Sequence, residues 1–304
     1  MIKFIISIIF IVFIIHYIYR RFKFILLFKK TRRVFKELKK NDIIQNEDKT
    51  ACFQEKRLEK WRRFSRELYL MRYQDVVNII KDQGRKSLKI LDIGCSDAYL
   101  FKQLMRAVKK SQFMLYNLYG LDISKDRIFL AKKRFKGINN TKFILGDAEN
   151  LPFSDNEFDM VISHESLEHL INPIKGVKEV KRILKPDGIF ILSVPSKHMV
   201  FISRINPLTW IEGLMSVYFP FILPPFHNLY EPEKKNTVIH RAFTFFELKQ
   251  SLYDWDKIEI KTTDFLFEEF LPQKLRNMLR HFYYSIKILK MSGRRILVLA
   301  KNKK

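Results

Sequence analysis

Three aspartates in this chain stand where short apolar runs end: Asp92 in L-D-I-G-C-S-D-A-Y-L, Asp122 in G-L-D-I-S, and Asp147 in G-D-A-E-N-L-P-F. A carboxylate at the carboxyl end of a strand can accept hydrogen bonds from the hydroxyls of a ribose. Alone, each would be read as a turn former or a helix cap bonded to nearby backbone amides. Three at successive strand ends point instead to a bound ligand. A fourth such place, F-D-M-V-I-S-H-E-S-L-E-H-L, gathers His164, Glu165, Glu168 and His169, groups able to take or give a proton. The spacing of Glu165, Glu168 and His169 is i, i+3, i+4, which on a helix puts them on one face.

Strands must present these residues at one edge. Ser87 to Ile93 reads as a buried strand. It runs through a turn of small residues into a helix over Ala98 to Lys110, with Leu100, Leu104 and Val108 on one face. Further strands are read at Met114–Leu121, Lys142–Leu145, Asp159–Ser163 and Ile189–Val194, the last after K-R-I-L-K-P-D-G. Strands alternating with helices predict an α/β fold, a Rossmann-like, doubly wound and mostly parallel sheet. A helix is read over Lys56–Asp82, a basic helix over Pro272–Lys290, and a last strand over Arg295–Ala300.

In their order and spacing these motifs resemble the class I S-adenosylmethionine-dependent methyltransferases, of the broad group acting on small molecules and lipids. The resemblance covers Lys89 to Pro195, and F-T-F-F-E-L at 243–248 is similar to a later segment of that group. It implies S-adenosylmethionine as cofactor. Asp92, Gly94 and Ser96 would lie against its methionine part, Asp122 and Ile123 against its ribose, and Asp147 with Ala148 beside its adenine. Ser163 and His164 would border the transferred methyl, and His164, Glu165 and His169 are the candidate bases. The family turn carries G-x-G-x-G, whereas here Gly94 is followed by Ser96 and Ala98. Both replacements are small, and only a position needing positive φ would suffer. Loss of the second glycine also argues against a dinucleotide enzyme.

E-x-x-E-H also resembles the divalent-metal ligands of certain quinone O-methyltransferases. An acid-rich helix start is stabilised by the helix dipole without any metal, and no metal is expected.

Phe4 to Tyr19 is apolar except for Ser7 and His16, and from Met1 to Lys40 eleven Lys or Arg face a single acid, Glu37. Residues 1–20 are therefore predicted to be a membrane-anchor helix, single-pass or peripheral, followed by a basic juxtamembrane and helical segment over 21–83. The basic residues after the apolar run place the rest in the cytoplasm. No small-residue cleavage site follows the run, against a signal peptide. Residues 84–198 form the predicted cofactor-binding core. An apolar, proline-interrupted insertion at 199–239 is expected as a lid, and 240–304 completes the domain.

Net charge is +25 and the pI about 9.9. That balance suits an anionic membrane surface. No RNA-binding motif is present, and nucleic acid is not expected as a partner. Cys52 and Cys95 set no disulfide framework. The sequence thus predicts a membrane-associated methyltransferase acting on a small-molecule or lipid-like acceptor, with oxygen as the preferred atom. A non-catalytic scaffold of the same fold and a nucleic-acid methyltransferase are its alternatives, and the oligomeric state is open.

Overall fold

The computed structural model describes residues 40–59, 63–84, 87–196, 241–263 and 295–303, together with positions 275, 278, 280 and 281. The expected anchor (1–20) and lid (199–239) lie outside the described residues. Among the described residues no helix is long and apolar enough to cross a membrane.

Three helices precede the sheet: α1 (Lys40–Lys49), α2 (Gln54–Glu59) and α3 (Arg63–Asp82). The helix read over 56–82 is present on both sides of residues 60–62, which lie outside the described residues. Then follow β1 (Leu88–Ile93), α4 (Tyr99–Ala107), α5 (Lys110–Met114), β2 (Tyr116–Asp122), α6 (Lys125–Arg134), β3 (Thr141–Leu145) and β4 (Phe158–His164). A single 3-10 turn, Leu167–His169, leads to α7 (Pro173–Ile183), β5 (Leu184–Pro195), α8 (Phe245–Ser251), β6 (Asp256–Thr263) and β7 (Arg295–Lys301). The basic helix expected over 272–290 falls mostly outside the described residues.

The seven-stranded sheet has the order β3-β2-β1-β4-β5-β7-β6. β1 to β5 pair in parallel, while β7 lies antiparallel between β5 and β6. The Rossmann-like, mostly parallel sheet expected from the sequence is therefore present. Burial on both faces explains the continuous apolar strands. Leu88 and Ile90 pack with α3, α4 and α6 on one side, and Leu91 and Ile93 pack with α7 and α8 on the other.

Local sequence sets the helix starts. The Ser124 hydroxyl caps α6 by accepting from the Arg127 amide, with Asp126 in its first turn and Lys132, Lys133 and Arg134 in its last. Asn172 caps α7, whose first residue is a proline. Thr244 and Glu247 form a reciprocal capping box on α8.

The chain steps outward from β1 to β2 and β3, then returns to place β4 on the other side of β1. At such a reversal the connections diverge and leave a crevice outside the carboxyl ends of the strands. Asp92, near the end of β1, and His164, at the end of β4, flank it. Because β7 is antiparallel, its first residue, Arg295, lies opposite Pro195 at this same edge.

Candidate active site

The turn after β1 keeps a left-handed backbone at three alternate positions: φ is +72° at Gly94, +51° at Ser96 and +58° at Ala98. The two residues that replace glycines thus occupy the conformations that favour glycine, at an order-of-magnitude cost of about 1 kcal/mol each. Backbone bonds hold the turn against β2, since the amides of Gly94 and Cys95 both donate to the Leu121 carbonyl, at 2.7 and 3.0 Å. A methyl added at Gly94 would lie 2.2 Å from Ser166 Oγ, so the turn also packs tightly on the segment after β4. Asp97, fully buried, accepts from the Gln54 amide at 2.6 Å and pairs with Arg134, which ties the turn to α6.

Asp122 accepts from two backbone amides, Ser96 and Ser124, each at 2.9 Å. Burial raises its proton affinity, opposed by Arg127 and by these two amides. Asp92 is buried beside it, and its carboxyl is pushed well above the usual range by burial and then by the charge of Asp122. Ile123 joins Asp122 to Ser124 in the same β2–α6 connection. At the end of β3, Asp147 accepts from the Glu149 amide at 2.9 Å and pairs with Lys40 of α1. Ala148 is buried beside it. The expected cofactor residues Asp92, Gly94, Ser96, Asp122, Ile123, Asp147 and Ala148 thus all lie along the carboxyl edge of β1, β2 and β3.

α1 falls within the basic and helical segment expected over 21–83, but its part in the site was not foreseen. This helix meets that edge through three side chains: Lys40 at Asp147, Glu47 at Arg127, and Asp48 at the Ser124 hydroxyl. Arg127 also donates to Ser96 Oγ at 3.2 Å and to Thr50 Oγ1 at 3.1 Å, joining the turn to the segment after α1.

At the end of β4, Ser163 and His164 are buried. The His164 ring lies 4.7 Å, centroid to centroid, from that of Tyr73 on α3, which in turn packs edge-on against Tyr99. The expected helical face of Glu165, Glu168 and His169 does not form. Glu165 is left-handed, with φ of +57°, and only residues 167–169 turn helically. Its carboxylate pairs with Arg295, lies 3.6 Å from Arg72, and accepts from the Ser193 hydroxyl at 2.9 Å. Burial pushes the Glu165 carboxyl up, but Arg295, Arg72, His164 and Ser193 together hold it below the ordinary value. Glu168 goes the other way: burial and the charge of Glu165 raise it well above the usual range, against Arg295. His169 is half-buried, its amide donating to the Ser166 carbonyl at 3.0 Å. Among the described residues no group of three or more His, Cys, Asp or Glu side chains could hold a metal ion.

Residues 91–192 match the family model described as "Methyltransferase domain". The chain is 28% identical over 193 residues to the demethylmenaquinone methyltransferase of Staphylococcus aureus strain MRSA252, covering 62% of this chain and 75% of that protein. It is 29% identical over 194 residues to the Staphylococcus haemolyticus protein of the same name, covering 63% and 72%. Its fold is similar to a solved structure described as a SAM-dependent methyltransferase, possible histamine N-methyltransferase, from Thermotoga maritima. That likeness has a TM-score of 0.52 and 17% identity, and covers 86% of this chain and 100% of the other.

Strand order, site and domain match together define a class I S-adenosylmethionine-dependent methyltransferase. This chain is such an enzyme, and S-adenosylmethionine is its methyl donor. The residues present fit that donor. The turn after β1 keeps its three left-handed positions although only the first is glycine, and buried carboxylates stand at the ends of β1 and β2.

Proposed function

We propose that this enzyme methylates a hydroxylated aromatic acceptor of the quinol class, one with an apolar tail, at the cytoplasmic face of a membrane. The observation that carries this reading is the convergence at one sheet edge of Asp92, Asp122 and Asp147 with Ser163 and His164, in a chain similar to demethylmenaquinone methyltransferases. The apolar residues 1–20 and the basic stretch after them support the membrane location.

In this reading Asp122 and Ile123 hold the ribose, Asp147 and Ala148 flank the adenine, and Asp92, Gly94 and Ser96 face the methionine part. The cofactor supplies a sulfonium methyl already activated for displacement, so positioning is the protein's main task. Ser163 and His164 border the acceptor. His164, packed on Tyr73, is the residue to take the acceptor's hydroxyl proton, because Glu165 is committed to two arginines. With a quinol acceptor the methyl goes to a ring carbon in place of the oxygen expected from the sequence, since the deprotonated oxygen feeds electron density into the ring. The sulfur–methyl bond breaks as the carbon–methyl bond forms, the ring carbon then loses its proton to solvent, and the oxygen recovers one from His164.

The test uses the full chain in detergent or liposomes with isotope-labelled S-adenosylmethionine and a chemically reduced, methyl-free naphthoquinone bearing a prenyl tail. A labelled product that keeps both free hydroxyls supports carbon transfer. A labelled product with one hydroxyl blocked moves the reaction to oxygen, and cofactor binding with no labelled quinol product overturns the acceptor.

A further inference from the structure

The arginine–glutamate cluster at the ends of β4, β5 and β7 holds polar atoms that the fold does not satisfy. Arg295 is 8% exposed, yet its Nη1 has no hydrogen-bond partner among the described residues. The same holds for Ser163 Oγ, Ser196 Oγ and Glu168 Oε2, all on residues at least nine-tenths buried. A guanidinium carries five donors and is costly to bury with some of them idle. Here Nη2 meets Glu165, and Nη1 lies 3.6 Å from Glu168 Oε1, an ion-pair contact too long for a hydrogen bond.

The cluster also concentrates charge. Arg72 and Arg295 bring two positive charges. Glu165 lies against both, and the Glu168 carboxyl beside it is pushed up by burial and by the charge of Glu165. An idle guanidinium donor beside the unsatisfied hydroxyls of Ser163 and Ser196 suits an anionic oxygen. Its place in the fold is next to Ser163 and His164, at the carboxyl edge of β4 and β5.

We propose that Arg295 binds the ionised hydroxyl oxygen of the acceptor, through Nη1, with Glu165 as the positioning residue that fixes its guanidinium. This rests on the acceptor reading above and sharpens it: once His164 has taken the hydroxyl proton, the acceptor is held and reacts as a phenolate rather than as a neutral phenol. A phenolate is the more electron-rich nucleophile, and Arg295 would hold that charge without protonating it, since a guanidinium stays charged throughout the working range.

The experiment uses the full chain saturated with S-adenosylhomocysteine, so that nothing reacts, and a nitro-substituted naphthol whose phenolate absorbs at longer wavelength than the phenol. The expected result is that binding lowers the probe's pKa, with the phenolate held at least about tenfold tighter than the probe's methyl ether, the effect of one charge-assisted hydrogen bond. Because Arg295→Gln alone strands Glu165, the key variant is Arg295→Gln with Glu165→Gln, which replaces the ion pair by two amides while taking the Glu165 carboxylate from Arg72 as well, so its folding is checked by circular dichroism. It is expected to bind S-adenosylhomocysteine as the parent does while losing the preference for phenolate. Arg295→Lys is expected to keep part of it. The proposal is overturned if the parent binds phenolate and ether equally, if it binds no probe while S-adenosylhomocysteine is bound, or if the double variant keeps the preference. Phenolate preference without methyl transfer to a quinol would overturn the proposed acceptor and leave this site standing.

Discussion

Asp92 and Asp122 are buried at the ends of adjacent strands, and the charge of Asp122 is, after burial, a cause of the raised proton affinity of Asp92. A carboxyl raised in the folded state keeps a proton that the unfolded chain releases from about pH 4 upward. Folding stability therefore falls as pH rises from there toward the folded-state pKa. Asp92→Asn removes that dependence. The variant is expected to be more stable than the parent at pH 7, by about 1 kcal/mol or more, since a tenfold change in proton affinity is worth about 1.4 kcal/mol. The gap should shrink toward pH 4. Urea unfolding at both pH values checks this, and a gap independent of pH would contradict it.

The two glutamates after β4 are expected to respond in opposite ways. Glu165→Gln leaves Arg295 and Arg72 buried without their shared carboxylate, a change worth roughly 3 kcal/mol of stability. Glu168→Gln replaces a carboxyl already pushed toward its neutral form and should stay within about 1 kcal/mol of the parent at pH 7. The pH trends also differ in sign. The contribution of Glu165, held low, is present above its unfolded value near pH 4.5 and is lost as pH falls through its folded value. That of Glu168 weakens as pH rises above the same point. Denaturant titrations of both variants between pH 4 and 7 separate the two.

The turn after β1 offers a steric test. Gly94→Ala places a methyl 2.2 Å from Ser166 Oγ in a left-handed backbone, and a loss of about 2–3 kcal/mol is expected. Adding Ser166→Gly removes the clash and should recover the steric part, leaving about 1 kcal/mol from the backbone alone. If the double variant is no more stable than Gly94→Ala, the clash is not the cause. Ser96→Gly, relieving the second left-handed position, is expected to gain up to about 1 kcal/mol, less what its contact with Arg127 contributes.

The central strands and the carboxylates at their ends were legible because both are local: an apolar run followed by Asp or Gly marks a strand end wherever the strand later sits. β6 was not, because D-K-I-E-I-K-T-T alternates only weakly and gains its burial by pairing with β7, a partner more than thirty residues on. Arg295 could be read only as the first residue of a last strand. Its meeting with Glu165 depends on β7 running antiparallel beside β5, which no local pattern announces. The i, i+3, i+4 spacing of Glu165, Glu168 and His169 misled for a related reason. Glu165 is drawn out of any helix by Arg295, Arg72 and Ser193, and the chain turns left-handed to deliver it. The reading of Gly94, Ser96 and Ala98 rightly named positive φ as the hazard, and in the fold Ser96 and Ala98 both stand there.

Arg127 is the side chain that joins α1 to the turn after β1. It pairs with Glu47, donates to Thr50 and reaches the Ser96 hydroxyl, while the Ser96 amide is itself bonded to Asp122. If the adenosine part of the cofactor lies against Asp122 and Asp147, α1 is the element that stands beside it, through Lys40 and Glu47. Ordering the site should then order this helix. S-adenosylhomocysteine is expected to raise hydrogen-exchange protection of residues 40–49 in the parent. Arg127→Ala should bind the same ligand about tenfold more weakly, the effect of losing one buried charge-assisted contact. It should also lose most of that added protection, with β4 and β5 unaffected. Full retention of both affinity and protection in Arg127→Ala would mean that α1 contributes nothing to cofactor binding, and would restrict the site to the edge formed by β1, β2 and β3.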